Sequence, residues 1–301
     1  MKQRSLVGHL SAAGAYAIFG INIIFCKDIA ASGLVSPLGV FTFRALGATF
    51  LFWLLSIFTP KETVDLKDLP KVAAASILGL YIPQVTFLAA CNMTTAIDIS
   101  IMSTLSPIFT MFIAAIVLKE PITAKKACGV AASFAGVIFL IFNSVISQNG
   151  VDHSRPLGIF LMLTNAFSFA AYLGIFRPLI SEYNVVNFMK WMFLFSLVLS
   201  LPFTAKEIIN IDYAAMSTDV ALKLGFVIVF STFVAYFLIP LSQKHIRPTL
   251  VSMYTYLQPM IAAGIAIASG RDVLSWQKIL AAVLVIGGVV AVSRSRAAST
   301  K

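Results

Sequence analysis

The chain alternates between long apolar blocks and short polar breaks. The blocks are close to twenty residues long, and stretches such as residues 99–118 stay apolar without the period-two alternation of a barrel strand. About 20 apolar helical residues cross a hydrocarbon core of ~30 Å. The pattern predicts ten helices, at 8–31, 36–58, 70–92, 96–118, 123–144, 157–180, 185–204, 219–242, 249–269 and 275–294. Pro37 and Pro70 open helices, where a missing amide donor costs nothing. Ser36-Pro37, Thr59-Pro60 and Asn149-Gly150 mark turns. The longest polar stretch, near mid-chain, reads as a linker at 147–156 between a first unit at 1–146 and a second at 157–301.

Composition agrees. Of 301 residues, 59% are apolar or aromatic and 11% are charged, against about 25% charged in soluble domains. A soluble domain, a disordered chain and a single-anchor protein are excluded. The net charge of +10 has no basic cluster interleaved with aromatics, so no nucleic-acid partner is expected. It reads instead as membrane orientation. With ten spans, fifteen of the 22 Lys and Arg residues fall on the side of the termini, six on the other, and Arg44 inside a span. That bias predicts cytoplasmic termini. Lys2 and Arg4 precede an apolar stretch too long for a signal core, so a retained first helix is expected. Cys26, Cys91 and Cys128 show no metal or disulfide spacing and read as small buried hydrophobes.

The chain also repeats itself. An offset of 152 pairs Leu105 with Leu257, Pro107 with Pro259, Gly136 with Gly288 and Ser103 with Thr255, and places Lys119-Glu120 on Arg271-Asp272. An offset of 150 pairs Gly8 with Gly158, Phe19 with Phe169 and Lys27 with Arg177. Two five-helix units follow. Because five is odd, the second enters the bilayer inverted relative to the first. Inverted repeats of this kind recur in secondary transporters, with the substrate site near the midplane between them. The fold class is therefore an all-α integral membrane protein of ten transmembrane helices in two inverted five-helix repeats.

Several motifs sit at matching places in the two halves. The first span reads Phe19-Gly20-Ile21-Asn22 with Lys27 following, and the second Pro37-Leu38 then Phe43-Arg44-Ala45. The fourth reads Leu105-Ser106-Pro107 with Glu120 beyond, the sixth Ala170-Ala171-Tyr172 then Arg177, and the ninth Leu257-Gln258-Pro259 with Asp272. Their order and spacing resemble the drug/metabolite transporter (DMT) superfamily, EamA type, over nearly the whole chain. Phe19 and Phe169 stand where that family carries tryptophan. The resemblance implies a secondary, non-ATP carrier of amino acids or similar small metabolites in a bacterial inner membrane, often an exporter. It also implies a cavity lined by the first, third, fourth, sixth, eighth and ninth spans.

Polar groups inside spans are the site candidates, because each is costly in lipid. Arg44 lies ~10 Å along its helix from Pro37 at ~1.5 Å per residue. It reads as the partner of a substrate carboxylate, as a structural or gating ion pair, or as a side chain snorkelling to the outer headgroups. Asp98 opens the fourth span on the same side, as a dipole-favoured helix start, a gate partner for Arg44 or a proton site. Pro107 and Pro259 interrupt hydrogen-bond ladders and are expected to kink toward protein or water. Their neighbours Ser103, Ser106, Thr255 and Gln258 then become cavity candidates, joined by Asn22, Gln84, Asn165, Tyr172, Tyr236, Tyr81, Tyr254 and Tyr256. Each reads alternatively as an interhelical hydrogen bond or an interface-belt residue. The fifth and tenth spans carry almost no mid-helix polar group and are expected at packing or dimer faces, so a homodimer is one expected assembly. No phosphate-binding glycine loop, metal-ligand cluster or carboxylate pair is present, so neither enzyme chemistry nor a cofactor is expected. The partners expected are a small neutral, zwitterionic or amphipathic solute and the lipid bilayer. The alternative is a scaffold or lipid-handling protein without solute flux.

Overall fold

Residues 2–60, 62–93, 99, 102–119, 122–146, 156–268 and 276–293 are described in the computed structural model. Among them no strand occurs. The first half holds α1 (Lys2–Ser32), α2 (Pro37–Ile57), α3 (Leu69–Cys91), α4 (Ser106–Val117) and α5 (Ala124–Ile146). The second holds α6 (Pro156–Ile175), α7 (Val185–Ile209), α8 (Thr218–His245), α9 (Leu257–Ala268) and α10 (Trp276–Ser293). A short helix, Arg177–Glu182, follows α6, and Pro248–Met253 with the 3-10 turn Tyr254–Tyr256 leads into α9. Helices within α1, α2, α3, α6, α7 and α8 are each long and apolar enough to cross a bilayer. The protein is thus an all-helical, multi-pass membrane protein whose helices follow the ten expected segments.

Helix starts are capped as the sequence dictates. The side chains of Ser36, Asn184 and Ser217 accept from the amides of Gly39, Val186 and Val220, each cap being worth about 0.5–2 kcal/mol. The expected sixth span is split after Ile175, since Pro178 fits only the first turn of a new helix. Pro107 lies in the first turn of α4, where a missing amide breaks no intrahelical bond, so it kinks no continuous helix. Pro259 follows the 3-10 turn Tyr254–Tyr256, which interrupts the helical run from Pro248 to Ala268.

The halves are not separate lobes. α1 packs on α8 and α6 on α3; α1 packs on α9 and α6 on α4; α2 pairs with α7, α5 with α10, and the lead-in to α9 with α4. Exchanging the halves maps the pairs α1–α8 and α6–α3, α1–α9 and α6–α4, α2–α7 and α5–α10 onto themselves, which is the signature of a pseudo-two-fold axis between them. Every principal helix pairing therefore crosses from one repeat to the other.

Polar links tie the repeats at both ends of the bundle. At the end where α1 begins, the Glu62 carboxylate accepts from the Asn184 amide at 2.7 Å and from Asn187 Nδ2 at 3.0 Å. The Tyr183 hydroxyl donates to Asp68 at 2.7 Å, while Lys244 Nζ, of the same repeat as Tyr183, donates to the Tyr183 carbonyl. At the other end, Ser36 donates to Glu207 at 2.6 Å, and Lys223 bridges Asp28 and Asp219, each at 2.7 Å.

Asp68 also pairs with Lys71 at 2.6 Å. The hydrogen bond from Lys71, then that from Tyr183, holds the Asp68 carboxyl below its ordinary value of 3.8. A depressed carboxyl contributes stability that is fully present above the unfolded value and is lost as pH falls through the folded one. Asp68→Asn is therefore expected to melt below wild type at neutral pH. The gap should close as pH falls below the ordinary carboxyl value of 3.8, as read by thermal unfolding of detergent-solubilised protein across pH.

Candidate functional site: a cavity between the two repeats

Two interruptions shape the centre of the bundle. α3 contains a π turn at Ile77–Tyr81 and α8 another at Val229–Val234. Their starts are separated by 152 residues, the offset already read from the repeat. A π turn holds an extra residue and loosens the carbonyl ladder, and such turns are frequent at functional sites. In α3 the cause is local: Pro83 has no amide and its ring crowds the carbonyl four residues back. In α8 the Thr232 hydroxyl donates to the carbonyl of Val227, five residues back, at 2.7 Å.

The loosened carbonyls are met from the other repeat. Asn165 Nδ2 donates to the Pro83 carbonyl at 2.6 Å, and the Ser168 hydroxyl to the Leu78 carbonyl at 2.8 Å. Arg44 Nε donates to Thr232 Oγ1 at 2.9 Å. Close approach makes this last bond possible. A Cβ on Gly47 would sit 2.3 Å from Ile228 Cγ2, so only glycine lets α2 lie so near the start of the π turn. Gly79 does the same for α3, where a Cβ would meet the Tyr172 ring at 2.6 Å.

Beside these turns lies a cavity of about 90 Å³, room for several water centres at about 10–15 Å³ each. Its walls come in repeat-related pairs. Phe19 faces the same space as Phe169, and Tyr16 as Ala166, at offset 150. Gln84 pairs with Tyr236, Ser103 with Thr255 and Ser106 with Gln258 at offset 152. Asn22, Ile23, Arg44, Pro83, Phe87 and Asn165 complete the lining. The cavity thus lies on the pseudo-two-fold axis, at mid-helix in α1, α3 and α6.

The matching family has the same organisation. Residues 6–142 and 156–294 each match the EamA-like transporter family. The chain belongs to that family. An uncharacterized transporter of Archaeoglobus fulgidus is 28% identical over 205 residues, 67% of this chain and 68% of that one. The uncharacterized transporter YdfC of Bacillus subtilis is 23% identical over 250 residues, 82% and 78% of the two chains. A solved crystal structure superposes with a TM-score of 0.72 at 15% identity, over 97% of this chain and 96% of that one, and shows the shared fold. As an EamA-like protein the chain is a membrane transporter and not an enzyme.

Within that fold the sequence candidates separate. Asn22, Arg44, Gln84, Ser103, Ser106, Asn165, Tyr236, Thr255 and Gln258 are brought together on the cavity wall. Four tyrosines are not. Tyr81 packs edge-on against Phe41, and the Tyr256 hydroxyl donates to the Thr104 carbonyl at 3.1 Å. The Tyr254 hydroxyl shares a 2.7 Å hydrogen bond with His9 Nδ1, and Tyr172 fills the space over Gly79. Asp98, Glu120 and Asp272, together with 147–155 of the expected linker, lie outside the described residues.

Sequence reading alone missed Tyr16, Pro83, Phe87 and Thr232. Pro83 adjoins Gln84 and Phe87 lies three residues from it, so helical spacing could have found both. Tyr16 lies three residues before the motif residue Phe19, and Thr232 carries no such signal.

The cavity's polar groups are unusually free. Tyr16, Gln84, Ser106 and Thr255 are buried, with side-chain polar atoms that meet no hydrogen-bond partner, and so is Arg44 Nη1. Buried polar groups normally find partners, so these five around one cavity mark a surface that exchanges partners with water or solute.

Asn165 is expected to stabilise the π turn rather than only line the wall. Asn165→Leu removes the 2.6 Å bond and leaves the Pro83 carbonyl with the weaker 3.3 Å bond from the Thr86 hydroxyl, at a cost of about 0.5–1.5 kcal/mol. A lowered melting temperature in detergent checks this, and an unchanged one would show that water replaces the amide fully.

Proposed function

We propose that this EamA-like transporter moves small neutral or zwitterionic metabolites, amino acids being the leading class, by alternating access of the central cavity to the two faces of a bacterial inner membrane. The observation that carries the reading is Arg44. Its side chain is 2% exposed, permanently charged, and held on the cavity wall with one nitrogen unpartnered. Among the described residues no carboxylate pairs with it. An isolated buried charge costs several kcal/mol, and a solute carboxylate offsets that cost. Aromatic and amide groups opposite it, from Phe19, Phe169, Tyr236 and Gln84, suit an apolar side chain or an ammonium group.

Size and charge narrow the class further. A cavity of about 90 Å³ suits a solute of amino-acid dimensions, and a single arginine is a poor match for a multiply anionic nucleotide. The exchange symmetry of the helix pairs supports a rocking motion in which the polar links at the two ends of the bundle break in turn. The 15-to-6 division of basic residues supports cytoplasmic termini.

Proteoliposome flux with a panel of labelled amino acids, amines and purines, with and without a pH gradient, tests the reading. Carboxylate-bearing solutes are expected to be carried. Arg44→Gln should lower their flux about 10- to 100-fold, the worth of one charge-assisted hydrogen bond of about 1.5–3 kcal/mol. Absence of flux for every solute with the wild-type protein would overturn it.

A further inference from the structure

We infer that Thr232 is the positioning residue for the solute carboxylate, and that the π turn of α8 exists to hold it. This rests on the reading of Arg44 as the carboxylate partner. The geometry is a relay. Thr232 is fully buried; its hydroxyl donates to the Val227 carbonyl at 2.7 Å and accepts from Arg44 Nε at 2.9 Å. The Val227 bond fixes the hydroxyl proton, so the oxygen lone pairs are presented to Arg44. With Nε held there, the planar guanidinium has its rotation fixed and Nη1 is left without a partner. A planar fork discriminates by orientation as well as charge, so its mount decides what it recognises.

Three features make the arrangement specific rather than incidental. The bond from Thr232 spans five residues, which a regular α-helix with its four-residue spacing does not offer. Gly47 is required for α2 to come close enough. The repeat-related position in α3, 152 residues earlier, is Leu80, which carries no hydroxyl. The two π turns are therefore related by the repeat, and only one of them bears an arginine mount. The pseudo-symmetric cavity has one charged corner, and a solute with one carboxylate has one way round.

Flux ratios test this directly. In proteoliposomes, L-leucine and L-phenylalanine are compared with L-leucinol and L-phenylalaninol, which keep the ammonium and side chain and lack the carboxylate. Wild type is expected to favour the acids about tenfold or more. Thr232→Val, nearly isosteric and without the hydroxyl, should bring the ratio to about two or below with amino-alcohol flux unchanged. Thr232→Ser should keep the wild-type ratio. Thr232→Ala, read by the same ratio, is the second variant if valine does not yield folded protein. A merely structural Thr232 would lower acid and alcohol flux together, and an unchanged ratio in Thr232→Val or Thr232→Ala overturns the inference. A wild type that carries both but does not distinguish acid from alcohol overturns the Arg44 reading instead. A wild type that carries no amino acid overturns both.

Discussion

A carbonyl released inside a lipid bilayer has no water to turn to. That constraint organises the centre of this protein. Two of its helices loosen at π turns, Ile77–Tyr81 and Val229–Val234, and carbonyls near both need donors. Asn165 and Ser168 from α6 supply α3. In α8, Thr232 supplies Val227 from within and is itself engaged by Arg44 from α2. The first repeat draws donors for its loosened helix from the second, and Thr232 of the second is engaged by Arg44 of the first, so the broken helices bind the halves together at the place where the cavity forms. Polar side chains of both repeats line that space.

Symmetry supplies the frame and departures from it supply the chemistry. The walls of the cavity come in pairs, Phe19 with Phe169 and Ser103 with Thr255 among them. Where the pairs match, they form a slot with no preferred direction. Where they diverge, as in Gln84 against Tyr236 on the wall and Leu80 against Thr232 in the π turns, one side becomes a donor and acceptor surface and the other an aromatic or apolar one. Arg44 adds the only charge among the described lining residues. A duplicated scaffold thus acquires a polarity that neither copy has alone.

The fold was legible because the bilayer imposes it. Span length, capping residues such as Ser36 and Ser217, and the offset of 152 are all sequence-level quantities. Arg44 was legible as a candidate because a charge within an apolar run is costly in lipid, while its choice between solute and structural partner was not. The π turns were not. Residues 229–234 are ordinary apolar and hydroxyl types, and only Pro83 hints at the turn before it. That gap also explains the tyrosines. Tyr81 is three residues from Gln84 and would share its face in a regular helix, but it sits inside the π turn, which shifts the phase and turns it onto Phe41. Tyr254 and Tyr256 flank Thr255, and about 100° of helical rotation on either side takes them off the cavity face.

The account stands on the cavity opening in turn to each side of the membrane. Labelling of Asn22→Cys, in a cysteine-free background, by a membrane-impermeant thiol reagent applied separately to right-side-out and inside-out vesicles tests that claim most directly. Asn22 lines the cavity at mid-helix in α1. Reaction from both sides, slowed in each case by a transported solute, is the predicted result. Reaction from one side alone, or from neither, would contradict it.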